Sequence, residues 1–222
     1  MRFIVPIQGS DARKKLEDAK KKGADLVEIH IDKVDDKKLV ENCELQTVVV
    51  MRPDWAGGDY TGYEKDRLKS LKEYSEIADF VEVDMEIASQ YKTDIIDYLE
   101  KVNTVSVVSK YFEKLPEVKD IIEIMEECRK IGAVARIFVP INSHDDVYKV
   151  LKALEKENDS DEGVTIAVDA YGSDEKLFRY LSYHFGSYWT RAEPDEINDI
   201  RSLKIGPLSK KLINEVDKRI SK

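Results

Sequence analysis

The sequence predicts an α/β protein, a (β/α)8 TIM barrel folded as one domain over residues 1–222, and three observations predict it. Short apolar runs alternate with longer amphipathic, charged stretches, which is the pattern of a parallel sheet covered by helices. Eight runs of each kind can be counted, and eight is the number at which such a sheet closes. The 222 residues give about 28 per unit, a little under the usual ~250-residue barrel, which leaves little room for further domains. An open doubly wound sheet would call for a G-x-G-x-x-G turn after a strand, and no run is followed by one.

The strand-like runs, in order, are Phe3–Ile7, Asp25–Ile31, Thr47–Arg52, Phe80–Asp84, Thr104–Ser109, Val134–Val139, Val164–Val168 and a short Gly186–Thr190. Between them lie helix-like stretches. Ser10–Lys22 has Ser10-Asp11 at its start and Lys20-Lys21-Lys22-Gly23 at its stop, with cations at the negative end of the dipole. The others are Asp35–Glu41, Glu64–Ile77, a helix ahead of Lys101, Pro116–Ile131, His144–Lys156, Asp174–Tyr183 and a terminal Ser209–Ile220. A Gly-bearing loop runs from Pro53 to Gly62. The long charged connection Arg191–Gly206 is of a length that often forms a lid in compact folds, and the sequence leaves open whether this one closes.

Composition narrows the function. With 42% hydrophobic residues the chain can bury a core, so general disorder is excluded. No apolar run approaches the roughly 18 residues of a membrane span, and Met1–Gln8 is too short and too quickly followed by charge for a signal peptide. Asp and Glu outnumber Lys and Arg by 45 to 36, so a net charge of −9 disfavours nucleic acid and anionic membrane as main partners. Two cysteines, Cys43 and Cys128, make no disulfide framework and fit a reducing cytoplasm. They also lack neighbouring His or Cys ligands for zinc. Gly57-Gly58 is not followed by Lys-Ser or Lys-Thr, and no G-x-S-x-G elbow exists. No metal or organic cofactor is expected.

In a closed barrel the site lies at the carboxyl ends of the strands. The polar residues that interrupt or end the runs are Glu28 and His30, Arg52, Glu82 and Asp84, Ser109-Lys110-Tyr111, and Arg136, with Arg179 in the helix after the seventh run. Alternation puts Glu28 with His30 on one face, and Glu82 with Asp84. Facing inward, they would gather into a pocket suited to a small anionic substrate, a carboxylate or phosphate. Each also has a plainer explanation: an arginine paired to a neighbouring acid, a hydrogen-bonded core histidine, a solvated lysine. Arg136 is the hardest to explain this way, because a guanidinium within Ala133–Val139 needs a partner or a cleft.

At these residues the chain resembles the type I 3-dehydroquinate dehydratases of the shikimate pathway. The resemblance runs through Val5-Pro6-Ile7, Ala24–Glu28, Met51-Arg52 to Trp55-Ala56-Gly57-Gly58, Phe112–Pro116, Asn142-Ser143 with Asp146-Val147, and Phe185-Gly186-Ser187. It implies a cytoplasmic lyase of aromatic amino acid biosynthesis. Such an enzyme forms a Schiff base between a strand-six lysine and a cyclic keto-carboxylate, with a strand-five histidine as acid/base and arginines on the carboxylate. Dimers occur in that family, although no exposed apolar stripe here argues for a homodimer. Arg52 and Arg179 stand where the family has arginines. The machinery itself differs. The strand-two Glu-x-Arg reads Glu28-Ile29-His30, and the strand-four acid reads Asp84. Counting back from Phe112, Lys110 takes the histidine position; counting on from Gly132, Arg136 takes the lysine position. Of the lid motif only Gly206-Pro207 remains.

A guanidinium does not deprotonate to attack a carbonyl, so Arg136 forms no imine. Lys110, if it lay beside Arg136 in a dry mouth, would have a lowered pKa and could act as nucleophile or acid/base. The expected catalytic residues are therefore Lys110, Asp84 and Glu28, with Arg52, Arg136, Arg179 and His30 binding substrate. The alternatives are a paralogue acting on another small carboxylate or phosphate, and a non-catalytic anion-binding barrel.

Overall fold

The computed structural model describes residues 2–34, 36–158 and 165–203. Its eight strands are β1 (Arg2–Ile7), β2 (Leu26–His30), β3 (Gln46–Val50), β4 (Phe80–Asp84), β5 (Val105–Tyr111), β6 (Val134–Pro140), β7 (Ile166–Tyr171) and β8 (Trp189–Arg191). They pair in parallel in the order β7-β6-β5-β4-β3-β2-β1-β8. The two ends of that order meet where the Tyr188 N–H donates to the Ile166 carbonyl at 2.7 Å. The result is a nearly closed (β/α)8 barrel.

Helices α1 (Ala12–Lys22), α2 (Lys37–Glu41), α3 (Glu64–Ser75), α4 (Ser89–Lys101), α5 (Val118–Ile131), α6 (His144–Asn158), α7 (Glu175–Ser182) and α8 (Ile197–Ser202) follow the strands in turn. The stop expected for α1 is present: Gly23 sits at φ +81°, and its N–H bonds back to Lys20. Three boundaries differ in ways that bear on function. β5 runs on to Tyr111, β7 begins at Ile166 and runs on to Tyr171, and the long connection after β8 contains α8. Ile197 and Ile200 of α8 are buried, and Arg201 donates to the Gly23 carbonyl at 3.0 Å. The described part of that connection thus packs against the barrel through Ala192, Ile197 and Ile200. Gly206-Pro207 and the expected terminal helix Ser209–Ile220 lie outside the described residues.

Strand alternation divides the core in two. One set of side chains, including Val5, Val27, Val49, Val81, Val108 and Ile137, faces the helices. The other set, Ile4, Leu26, Val48, Val50, Phe80, Val107, Val134, Ala167 and Trp189, fills the barrel floor. Two residues further along, the same strands present Glu28, Glu82, Ser109, Arg136 and Asp169, all buried. An apolar floor therefore carries a charged layer at the carboxyl end.

Candidate active site

Arg136 is the centre of that layer and is fully buried. Its Nε donates to Asp169 Oδ2 and its Nη1 to Glu82 Oε2, each at 2.7 Å, while Nη2 contacts Glu28 Oε2. Phe138, two residues on, lies 4.7 Å from the guanidinium, and Trp189 of the floor lies 5.6 Å from it. Arg52 follows β3 and donates to Glu82 Oε1 at 2.8 Å through Nε. It stacks on Phe138 at 4.3 Å and is 3.9 Å from Glu28. His30 Nε2 is 2.7 Å from Glu28 Oε1. Three carboxylates thus face two guanidiniums and one imidazole. The innermost layer therefore carries no excess of positive charge.

Burial alone would raise the Glu28 pKa, but Arg136, the His30 hydrogen bond and Arg52 override it and hold the carboxyl well below its ordinary range. Glu82 follows the same course: burial raises it, and Arg52 with Arg136 brings it down. Asp84 differs. Burial dominates there, and the carboxyl is pushed up to about 6 despite the attraction of Arg67. Arg67 reaches from α3 and donates to Asp84 Oδ2 at 2.7 Å and to the Met51 carbonyl at 2.9 Å.

The β3–α3 loop holds Arg52 in place. The Arg52 carbonyl accepts from the Tyr60 N–H at 3.1 Å, and a Cβ on Gly58 would lie 2.0 Å from that oxygen. Gly57 is at φ +76°, where a Cβ would meet the Tyr111 ring at 2.5 Å. Tyr111 stacks on Tyr171 at 5.1 Å, and the Tyr171 hydroxyl donates to the Phe112 carbonyl.

The structure brings Glu28, His30, Arg52, Glu82 and Arg136 together, with Asp84 at the next position along β4. Two of the expected residues stand apart. Lys110 follows the parity of outward-facing Val108; its Nζ pairs with Glu86 at 2.5 Å and lies 5.5 Å from the Phe112 ring. Arg179 is shared between Glu196 and Glu175, each at 2.9 Å. Sequence reasoning missed Asp169, Arg67 and Phe138. Asp169 follows from alternation two residues beyond Ala167, once β7 is allowed to run past Val168. Arg67 stands four residues before Leu71, on the buried face of α3. Among the described residues, no group of three or more His, Cys, Asp or Glu side chains is placed to hold a metal ion, and no helix is long and apolar enough to cross a membrane.

Residues 3–202 match the family model described as type I 3-dehydroquinase. The 3-dehydroquinate dehydratase of Methanococcus maripaludis strain C5 is 30% identical over 218 residues, which is 91% of this chain and 96% of that protein. Two solved structures show the same fold. The type I 3-dehydroquinate dehydratase of Clostridium difficile, solved with covalently modified comenic acid, superposes with a TM-score of 0.79 at 18% identity, covering 90% of both chains. The 3-dehydroquinate dehydratase of Aquifex aeolicus gives 0.76 at 23% identity, covering 90% of this chain and 97% of that one.

Proposed function

Because the chain belongs to the type I 3-dehydroquinase family, we propose that it is a 3-dehydroquinate dehydratase-like lyase acting on a cyclic keto-carboxylate by an altered, amine-based route. The observation that carries this reading is Asp84. It stands at the position of the family's strand-four acid, and its carboxyl is pushed up to about 6, where an acid exchanges protons efficiently at neutral pH. The attacking amine is Lys110, the one lysine on the described strands, and it must leave Glu86 to reach the barrel axis. Attack on the ketone expels one water and forms an imine. Asp84 as carboxylate then takes the proton beside it and returns that proton to the ring hydroxyl, which leaves as a second water; hydrolysis of the imine consumes one water and returns the amine. Glu28 stays ionised and contributes charge that orients His30 and Arg136. Arg52, His30 and Arg179 are the groups proposed to bind the substrate, Arg179 on leaving Glu175 and Glu196. The whole of residues 1–222 is taken as one domain. Its unpaired cysteines fit the cytoplasm, and its net charge of −9 argues against nucleic acid as a partner.

One observation favours a second reading. Arg136 is enclosed by three carboxylates, and no lysine shares its face of the described strands, so the barrel would bind an anion without turning it over. Release of the conjugated enone from 3-dehydroquinate, followed by its ultraviolet absorbance, decides between the two. The lyase reading expects turnover that Lys110→Ala abolishes. Absence of turnover with the wild-type chain would refute the lyase reading.

A further inference from the structure

A second cavity, of about 140 Å³, opens between α7 and the ends of β7 and β8. Its wall includes Asp169, Glu175, Arg179, Ser182, Arg191 and Glu193. Most of these polar groups are already engaged. Arg179 is held by Glu175 and Glu196, and Glu193 pairs with Lys15 at 2.9 Å. The Ser182 hydroxyl donates to the Arg179 carbonyl.

Two groups are not saturated. Asp169 gives Oδ2 to Arg136, but its Oδ1 is buried with no hydrogen-bond partner among the described residues. Arg191 is half-buried, and among the described residues its guanidinium has neither an ion pair nor a hydrogen bond. Alternation along β8 puts Arg191 on the same face as Trp189 of the barrel floor. The cavity therefore offers one free planar cation and one free buried acceptor.

Asp169 Oδ1, buried and without a protein donor among the described residues, is an acceptor that a ligand hydroxyl can satisfy. Arg191 calls for an oxyanion, and its planar fork suits a carboxylate. The acidic wall of Asp169, Glu175 and Glu193 disfavours a phosphate dianion. The volume is close to that of a ~150 Å³ cavity that takes one benzene ring. We infer that Arg191 is the anion anchor of a small hydroxy-carboxylate site at the β7–β8 rim, with Asp169 Oδ1 accepting from the ligand's hydroxyl. The inference rests on the substrate class proposed above. It assigns the substrate carboxylate to a guanidinium that the charged layer has left free.

Calorimetric titration of the full chain with quinate tests it, because quinate carries the ring, hydroxyls and carboxylate but no ketone to react. Quinate should bind the wild type, and Arg191→Gln should weaken it about 10- to 100-fold, the usual loss for a charge-assisted hydrogen-bonded pair. Arg191→Lys should fall between the two, and inorganic phosphate should not compete. No quinate binding by the wild type, an unchanged affinity in Arg191→Gln, or displacement by phosphate would each overturn the assignment. If Arg191→Gln does not fold, the methyl ester of quinate replaces it: weak binding of that neutral ester to the wild type supports an anion anchor, and undiminished binding refutes it. Enone release from 3-dehydroquinate, read separately, keeps the two ideas apart. Arg191-dependent quinate binding without turnover would retain the site and remove the lyase. Turnover with the same KM in Arg191→Gln would do the reverse.

Discussion

At the scale of single residues, Arg136 bears on stability and Asp84 on the proposed chemistry. A guanidinium buried this deeply persists only because Glu28, Glu82 and Asp169 surround it, and each of those carboxylates depends on it in return. Removing one partner from such a network leaves uncompensated buried charge, at a cost of about 3–5 kcal/mol. Arg136→Met should therefore lower the unfolding free energy by about that amount in urea titration, although the side chain is apolar and of similar length. Asp84 makes the complementary case for activity. Under the lyase reading, Asp84→Asn should reduce kcat by about 10²- to 10⁴-fold, typical for loss of an acid/base group, and remove a limb near pH 6 from the rate profile. Retention of that limb in Asp84→Asn would assign the titration elsewhere.

At the scale of elements, the β3–α3 loop shows how backbone geometry places a side chain. Gly58 lets the chain turn back so closely on Arg52 that a methyl group would overlap the Arg52 carbonyl. Gly58→Ala must move backbone, and should cost about 1–3 kcal/mol while loosening the Arg52–Glu82 pair. A thermal midpoint within a degree of wild type would show that the loop yields freely. The same scale explains what could be read from the chain. Strand and helix order followed from apolar periodicity, because a barrel strand is an apolar run and its helix an amphipathic one. The ends were harder. β5 and β7 finish in Ser109-Lys110-Tyr111 and Asp169-Ala170-Tyr171, where polar and aromatic residues look like loop although the ladder continues beneath them. Those last residues form the mouth, so the uncertain boundaries fell on the candidate site. Counting from Phe112 pointed to Lys110, yet the extended ladder turns Tyr111 inward beside Tyr171 and Lys110 toward Glu86. Charge partners are also invisible to periodicity: Arg136 was expected to need a partner, but nothing in the sequence said it would find three.

At the scale of the whole molecule, the net charge is −9, while the buried layer keeps its own balance. That balance sets the acid response. Glu28 and Glu82 have folded pKa values lowered below the ~4.3 of an unfolded chain, so their stabilisation is complete above that value and is lost as pH falls below it. Asp84 runs the other way. Its folded value of about 6 lies above the unfolded ~3.9, so it favours the folded state as pH falls from 6 to 4. The melting temperature should thus hold or rise slightly from pH 7 to 5 and then drop below about 4, and Asp84→Asn should flatten the first segment. A midpoint falling steadily from pH 7 would contradict these assignments.

The same interior decides whether the barrel is an enzyme. Arginine at the strand-six position rules out an imine there, and the remaining amine on the described strands is Lys110. Borohydride reduction in the presence of 3-dehydroquinate, with the adduct mapped by peptide mass spectrometry, addresses this directly. The lyase reading predicts a reduced adduct on Lys110, absent from Lys110→Ala, together with enone release. A chain that stays unmodified and releases no enone would contradict it and leave an anion-binding barrel.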